Sequence, residues 1–488
     1  MIPQNIKDHK PETAKFGATE IRLLQGHYYV YEITSKWDSQ KGRPKKVTGK
    51  SIGKITENDG FIPNAYCMKK YALANPIVRT YGVFEMFQQL GQGITNKLKE
   101  IFPDLYREIM TVAQLRLVYG CTPKLMPNCF EDSYLSDLYP DIGTSDKTVR
   151  ELTRILGSYR EADILRFMRL FVSDQATIMI DGTSIFAQNE DSYTKNGYNP
   201  EHKKKTQIRL LYIFDSSSYE PVFYSMLPGN ISDKAAMVNS IELSGVKDCL
   251  IIGDKTFYSK QAISFLLEKK LQYILPLQHN TKLITNEFEN TPDEKRWDGY
   301  FLYKNRIIHY HKEPSGNLGN FLYIFRDESK KLTEEQKIAK ENTEKDPEEA
   351  TDLYENPRRG MFSYVSNLDQ SAEHIYLKYK ERWDIEQCFD YLKNSVDIGS
   401  PYQRNNESLR GWTFINHVSL LYFYTLVRAL RKSGLNNKYD PNDVIMLAKN
   451  IYKIKMTNVF NLNQILYSEV SNKDKEVFKS LGVDLFRN

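Results

Sequence analysis

Two apolar runs each stop at an aspartate: "ATIMI" (176–180) precedes Asp181, and "CLIIG" (249–253) precedes Asp254. A carboxylate that closes an apolar strand must be solvated, paired or bound to a cation. At the carboxyl edge of an open sheet it stands where ligands bind. Either Asp alone reads as the start of a turn ("DGTS", "GDKT"), but two at equivalent ends of neighbouring strands read as a site. Close carboxylates raise one another's pKa, and a divalent cation removes that conflict. Hard Mg2+ or Mn2+ takes oxygen ligands and keeps several waters, so two or three carboxylates suffice. A pair of such ions activates a water or a hydroxyl and stabilises the leaving oxygen of an in-line phosphoryl transfer. A third carboxylate is then expected on an element that returns to the sheet edge.

The stretch "YKERWDIEQCFDYLKNS" (379–395) offers one. At about 100° per residue, Tyr379, Arg382, Glu386 and Lys393 share a helical stripe roughly 60° wide. Ile385, Cys388, Phe389, Leu392 and Val396 form a separate apolar face, so such a helix buries one side and presents the four polar groups together. Glu386 can complete a metal site with Asp181 and Asp254. Arg382 is a forked phosphate donor, Lys393 a compact positive charge and Tyr379 a hydroxyl donor. The competing reading is a surface helix laced by salt bridges one turn apart.

The elements that must position these residues follow from the texture around them. After 171 come "ATIMIDGTSIF", "QIRLLYIFD" and "EPVFYSMLPGN", then a helical "DKAAMVNSIELSGV", then "CLIIGDKTFY" and "QYILPLQHN". Strand–strand–strand–helix–strand–helix–strand makes a mixed sheet covered by helices. Three antiparallel strands followed by parallel βα units are also the order of the ribonuclease H-like fold. Residues 282–360 interrupt it with a β-rich patch and a charged run that reads as a solvated helix or linker. "MFSYVSN" (361–367) resumes the sheet, and helices are expected from there to the end.

Upstream, 20–56 alternates as a β-hairpin with a turn-rich tip, "DSQKGRP". From Lys36 to Lys54 it carries seven Lys or Arg and one acid, a local basic patch. Residues 77–170 read as helical; "GTSDKTVRELTRILG" has an N-cap in Thr144 or Ser145 and fits ordinary helical packing better than a helix-turn-helix.

Composition sets bounds. A chain of 488 residues suits two to four domains, and 41% hydrophobic residues can fill a sizeable core. A net charge of +5 is too small to argue for a nucleic-acid partner by itself. The five cysteines form no CxxC pair and do not combine with the eight histidines at zinc-ligand spacing, which disfavours a zinc enzyme and suits a reducing cytosol. The N-terminal "MIPQNIKDHKPETAKF" lacks the apolar run of a signal peptide. The most apolar window, Trp412 to Leu430, includes Asn416, His417 and Arg428 and reads as a buried helix, with no membrane span expected.

Tyr379, Arg382, Glu386 and Lys393, spaced Y-x2-R-x3-E-x6-K, resemble the YREK signature of DDE transposases from bacterial insertion sequences. Asp181, Asp254 and Glu386 stand in the order of that family's catalytic triad. "MIDGTS", "LPGNISD", "IGDKTFYS" and "KERWDIEQCFDYLK" stand where it has its blocks, and the long 255–385 interval resembles its β-rich insertion. The likeness covers about 171–430, with weaker similarity at "TGKSIGKIT" and the C-terminal helices.

The resemblance implies a mixed α/β chain with a ribonuclease H-like core. That core is interrupted by a β-rich insertion and flanked by an N-terminal hairpin with a helical region and by C-terminal helices. The expected division is a basic hairpin (1–60), a helical DNA-end-binding region (61–170), the core (171–281 and 361–430), the insertion (282–360) and a C-terminal helical region (431–488). It implies a two-ion Mg2+ or Mn2+ enzyme of the bacterial cytoplasm acting on double-stranded DNA, both terminal inverted repeats and target, as a homodimer. In such enzymes an end is nicked, the freed 3′-hydroxyl forms a hairpin, and the reopened end is joined to target DNA. Tyr379, Arg382 and Lys393 would contact DNA, and an insertion tryptophan, here Trp297, would stack on a flipped base. A ribonuclease H-like nuclease without strand transfer and a non-catalytic DNA-binding descendant are the alternatives.

Overall fold

The computed structural model describes residues 2–70, 76–186, 195–197, 205–315, 320–343, 358–382, 405–457 and 463–486. The chain divides into two units, one of Met1–Glu85, Glu131–Tyr134 and Met446–Val477, the other of Met86–Phe130, Leu135–Ile445 and Phe478–Asn488.

In the first unit, β1 (Thr19–Leu24), β2 (His27–Asp38), β3 (Arg43–Thr56) and β4 (Gly60–Pro63) form an antiparallel sheet in sequence order. Its apolar cluster is Ile6, Phe16, Val30, Ile52, Ile55 and Cys67. Gly53 is required where β3 meets β4, since a Cβ there would lie 2.3 Å from the Ile62 carbonyl oxygen. Strand β5 (Ile77–Thr80) pairs with Tyr452–Thr457, which pairs with Asn463–Tyr467. These two strands interrupt the C-terminal helices expected from sequence. Their alternating Lys and apolar residues ("YKIKMT") have the strand period.

The second unit is built on β6 (Thr177–Phe186), β7 (Lys195–Gly197), β8 (Lys205–Asp215), β9 (Glu220–Pro228), β10 (Leu250–Ile252) and β11 (Gln272–Pro276). β6, β8 and β9 are consecutive antiparallel partners. β10 lies parallel on the other side of β6, and β11 parallel beyond it. Helices Asp233–Ser244 and Lys260–Glu268 make the crossovers. Spatial order β9-β8-β6-β10-β11 with these directions is the ribonuclease H-like arrangement. The insertion strands β12 (Gly299–Tyr303), β13 (Arg306–Ser315) and β14 (Asn320–Asp327) join through β15 (Met361–Ser366) to β11, so the insertion extends the core sheet. The charged segment begins as a helix, Glu328–Asn342, with no buried residue, capped by the Asp327 carboxylate.

The Asn406–Ser433 helix is buried along most of its length. Among the described residues no helix is long and apolar enough to cross a membrane. It crosses the Asp146–Tyr159 helix, capped by Ser145 as expected, with backbones touching. A Cβ on Gly157 would lie 1.8 Å from the Glu407 carbonyl oxygen, and one on Gly411 1.9 Å from that of Thr153. The "GTSDKTVRELTRILG" segment is thus committed to packing. Further along the long helix, His417 lies against the rings of Tyr212 and Tyr224 on one face of the sheet, and burial lowers its pKa to about 3, keeping it neutral.

In an open helix Gly→Ala gains about 1 kcal/mol of propensity. Here the obstacle is backbone, and overpacking costs about 1–3 kcal/mol or more. Gly411→Ala is therefore expected to lower the thermal midpoint, as read by circular dichroism. A raised midpoint would mean that the crossing is loose.

Candidate active site

The β6–β10 register pairs Leu250, Ile251 and Ile252 with Thr177, Ile178 and Met179. The pairing ends two residues short of both Asp181 and Asp254. Asp254 follows the end of β10 and starts the short turn Lys255–Phe257, where its side chain caps no backbone amide. Asp181 differs from expectation. β6 does not stop there but runs on to Phe186, because β8 continues to pair with it, Asp181 opposite Tyr212. On the β10 side the pairing of β6 stops at Met179, so "DGTS" continues as strand against β8 alone.

Asp181 and Tyr212 share the face on which His417 packs. Asp181 Oδ1 accepts from the Gly182 amide at 2.8 Å, and Oδ2 accepts from Arg382 at 2.6 Å. Both side chains are largely enclosed, 18% and 15% exposed, so the guanidinium neutralises a carboxylate that water alone would solvate poorly.

The helix Ala372–Lys380 delivers Arg382. Ser371 caps its start by accepting from the His374 amide, and Arg382 follows its last turn. Glu381 accepts from the Ser216 hydroxyl at 3.1 Å and pairs with Lys378 at 3.0 Å. Neighbouring residues are thereby tied to β6 at Asp181 and to the turn after β8 at Ser216. Tyr379 lies over Tyr364 of β15, ring centroids 4.4 Å apart. Burial raises the Tyr364 pKa, with Tyr379 and Tyr376 adding to it, so this hydroxyl stays protonated. Tyr364 and Ser216, which seat the helix end, carry no sequence signal; Tyr364 is one of 33 tyrosines.

Glu386 and Lys393 lie outside the described residues. Trp297 sits in the insertion's own packing: Phe288 meets its ring edge-on at 5.7 Å, His309 lies at 5.8 Å, and the Arg326 guanidinium lies 4.9 Å from its centroid. Three other arginines are occupied within the protein. Arg209 pairs with Asp233 of the "LPGNISD" block, Arg358 with Glu289 and Arg410 with Glu161. Gly229 in the same block is required, since a Cβ there would lie 2.1 Å from the Gln207 carbonyl oxygen.

Asp181 on β6 and Asp254 just past β10 offer only carboxylate oxygens, a donor set that fits a hard divalent cation. Among the described residues no group of three His, Cys, Asp or Glu side chains is placed to hold a metal.

A ribonuclease H-like core with Asp181 within β6 and Asp254 just past β10 defines the structural class. The Transposase DDE domain family model matches residues 173–420, half of the chain, and the chain belongs to that family. No curated protein matches it. Among solved structures it is similar to the piggyBac transposase synaptic complex with hairpin DNA, determined by cryo-electron microscopy. The identity is 12%, with a TM-score of 0.42 over 70% of each chain. Likeness at that level carries no functional argument.

The enclosed Arg382–Asp181 pair sets an expectation for a double-mutant cycle on thermal stability. Asp181→Asn and Arg382→Gln should each destabilise, and the double variant should recover part of the loss, a coupling of about 1–3 kcal/mol. Simple additivity would mean that the two groups do not interact in solution.

Proposed function

We propose that the protein is the transposase of a bacterial insertion sequence of the YREK-signature group. It binds the terminal inverted repeats of its element, cleaves them through a hairpin intermediate and joins the ends to target DNA. The observation that carries this reading is the hydrogen bond of Arg382 to Asp181, in a chain of the DDE transposase family whose β6–β10 pairing runs to within two residues of Asp181 and Asp254.

Asp181, Asp254 and Glu386 would hold two Mg2+ or Mn2+ ions. Bound there, such cations lower the pKa of a water or hydroxyl and stabilise charge on the leaving oxygen. The protein's own groups orient the DNA. Arg382 has a planar fork suited to a phosphate, and its exchange between Asp181 and a phosphate would couple DNA arrival to release of the carboxylate. Tyr379, seated on Tyr364, presents a hydroxyl donor to the same strand. Lys393 adds a compact positive charge, and Trp297 is the ring assigned to an extruded base. Residues 61–170 are assigned to end recognition. Two copies would hold two ends together, in the bacterial cytoplasm.

Asp181→Ala, Asp254→Ala and Glu386→Ala should each abolish Mg2+-dependent cleavage of a duplex carrying the element's inverted repeat, with binding to that duplex retained in a mobility-shift assay. Wild-type cleavage by any of the three would remove that residue from the site. Arg382→Ala should lower hairpin yield relative to nicking, read on a denaturing gel.

A further inference from the structure

We infer that the free end of the β2–β3 hairpin is a DNA-binding arm, a two-stranded ribbon that lies in a groove of duplex DNA. The choice of partner rests on the proposed action on DNA; the surface itself is independent of the carboxylate site. β1 pairs with β2 only as far as Glu32, and β4 pairs with β3 only from Gly53 onward. Between those limits β2 and β3 continue as a bare ribbon, six pairs from Ile33↔Thr48 to Asp38↔Arg43. At about 3.4 Å per residue it extends roughly 20 Å. Both of its faces meet solvent, and an isolated pair of strands is marginal in water. A major groove admits a ribbon of this kind.

The charges on the ribbon are arranged for an anion. Lys36 stands directly across from Lys45, a like-charge pair that costs stability in the free protein and is relieved by phosphates. Arg43 lies two residues from Lys45 and shares its face, and Lys41 occupies the turn. Among the described residues none of these four cations makes an ion pair within the protein, whereas Lys46, nearer the sheet, is held by Glu20. The one acid of the tip, Asp38, is engaged by the turn, accepting from the Gln40 and Lys41 amides at 3.1 and 3.2 Å. On the opposite face Trp37 is 70% exposed. A large ring left in water among cations is matched to sugar and base edges, an apolar contact beside the phosphate contacts.

The test is equilibrium binding of the full-length protein to a mixed-sequence duplex over a range of salt concentrations. It compares wild type with the triple variant Lys36→Ala, Arg43→Ala, Lys45→Ala and, separately, with Trp37→Ala and Trp37→Phe. These side chains are exposed, so circular dichroism should show an unchanged fold. Loss of three phosphate contacts should reduce the slope of log affinity against log salt by roughly 2–3, with affinity falling about tenfold or more at moderate salt. Trp37→Ala should weaken binding, and Trp37→Phe should restore most of it. Binding by wild type with an unchanged slope in the triple variant would overturn the arm and leave the transposase reading standing. Absence of duplex binding by wild type would overturn both. Retention on anionic lipid vesicles without duplex binding would assign the ribbon to a membrane surface and overturn the proposal.

Discussion

Parallel pairing of β6 with β10 holds Thr177–Met179 against Leu250–Ile252, and that register decides which side chains share the carboxyl edge of the sheet. A shift of one residue would turn Asp181 or Asp254 to the other face, since side chains alternate along a strand. The register is protected on both sides. β8 holds the other edge of β6 along its length, and β11 continues the parallel pairing beyond β10. Ile178, Met179, Ile180, Ile251 and Ile252 are buried, so slipping would expose apolar side chains as well as misplace the acids.

The cost of placing an acid there is met by charge. Asp181 is largely enclosed, and the cation that balances it comes from Arg382, 201 residues away in the chain. The contact requires the insertion to be closed off first: β15 must return to pair with β11 before the Ala372–Lys380 helix can begin. The insertion meets that condition by joining the same sheet, which leaves β15 hydrogen-bonded on both edges, to β11 and to β14. A phosphate or a cation arriving at this edge would compete with an existing ion pair, so the site is already balanced before any ligand is present.

The two units spend their residues differently. Around the Asn406–Ser433 helix the polypeptide is packed to backbone contact at Gly157 and Gly411, and basic residues such as Arg410 are consumed by ion pairs. The β2–β3 ribbon shows the reverse: paired backbone, exposed side chains and unspent positive charge. Rigid packing suits the part of the chain that must hold carboxylates in register. A solvated ribbon suits contact with a partner whose charge, rather than shape, supplies the attraction.

The core's strand order was legible because each strand is a short apolar run bounded by turn residues, and their succession admits few topologies. The N-cap at Ser145 was a local signal of the same kind. The spacing of Tyr379 and Arg382 put them on one stripe of a helix, but only folding brought them to Tyr364 and Asp181. Sequence misjudged Asp181 as a strand end, because whether "DGTS" turns or continues depends on a partner strand, β8, that local propensity does not register. It also missed the strands at 452–467, whose partner β5 lies more than 370 residues earlier in the chain. By itself the sequence determined which segments are apolar, where helices start and which residue types can do phosphoryl chemistry, since these depend on neighbours a few positions away. Only the tertiary structure decided which carboxylate meets which guanidinium and which cations stay free, because those outcomes depend on strand register and on contacts between residues far apart in the chain.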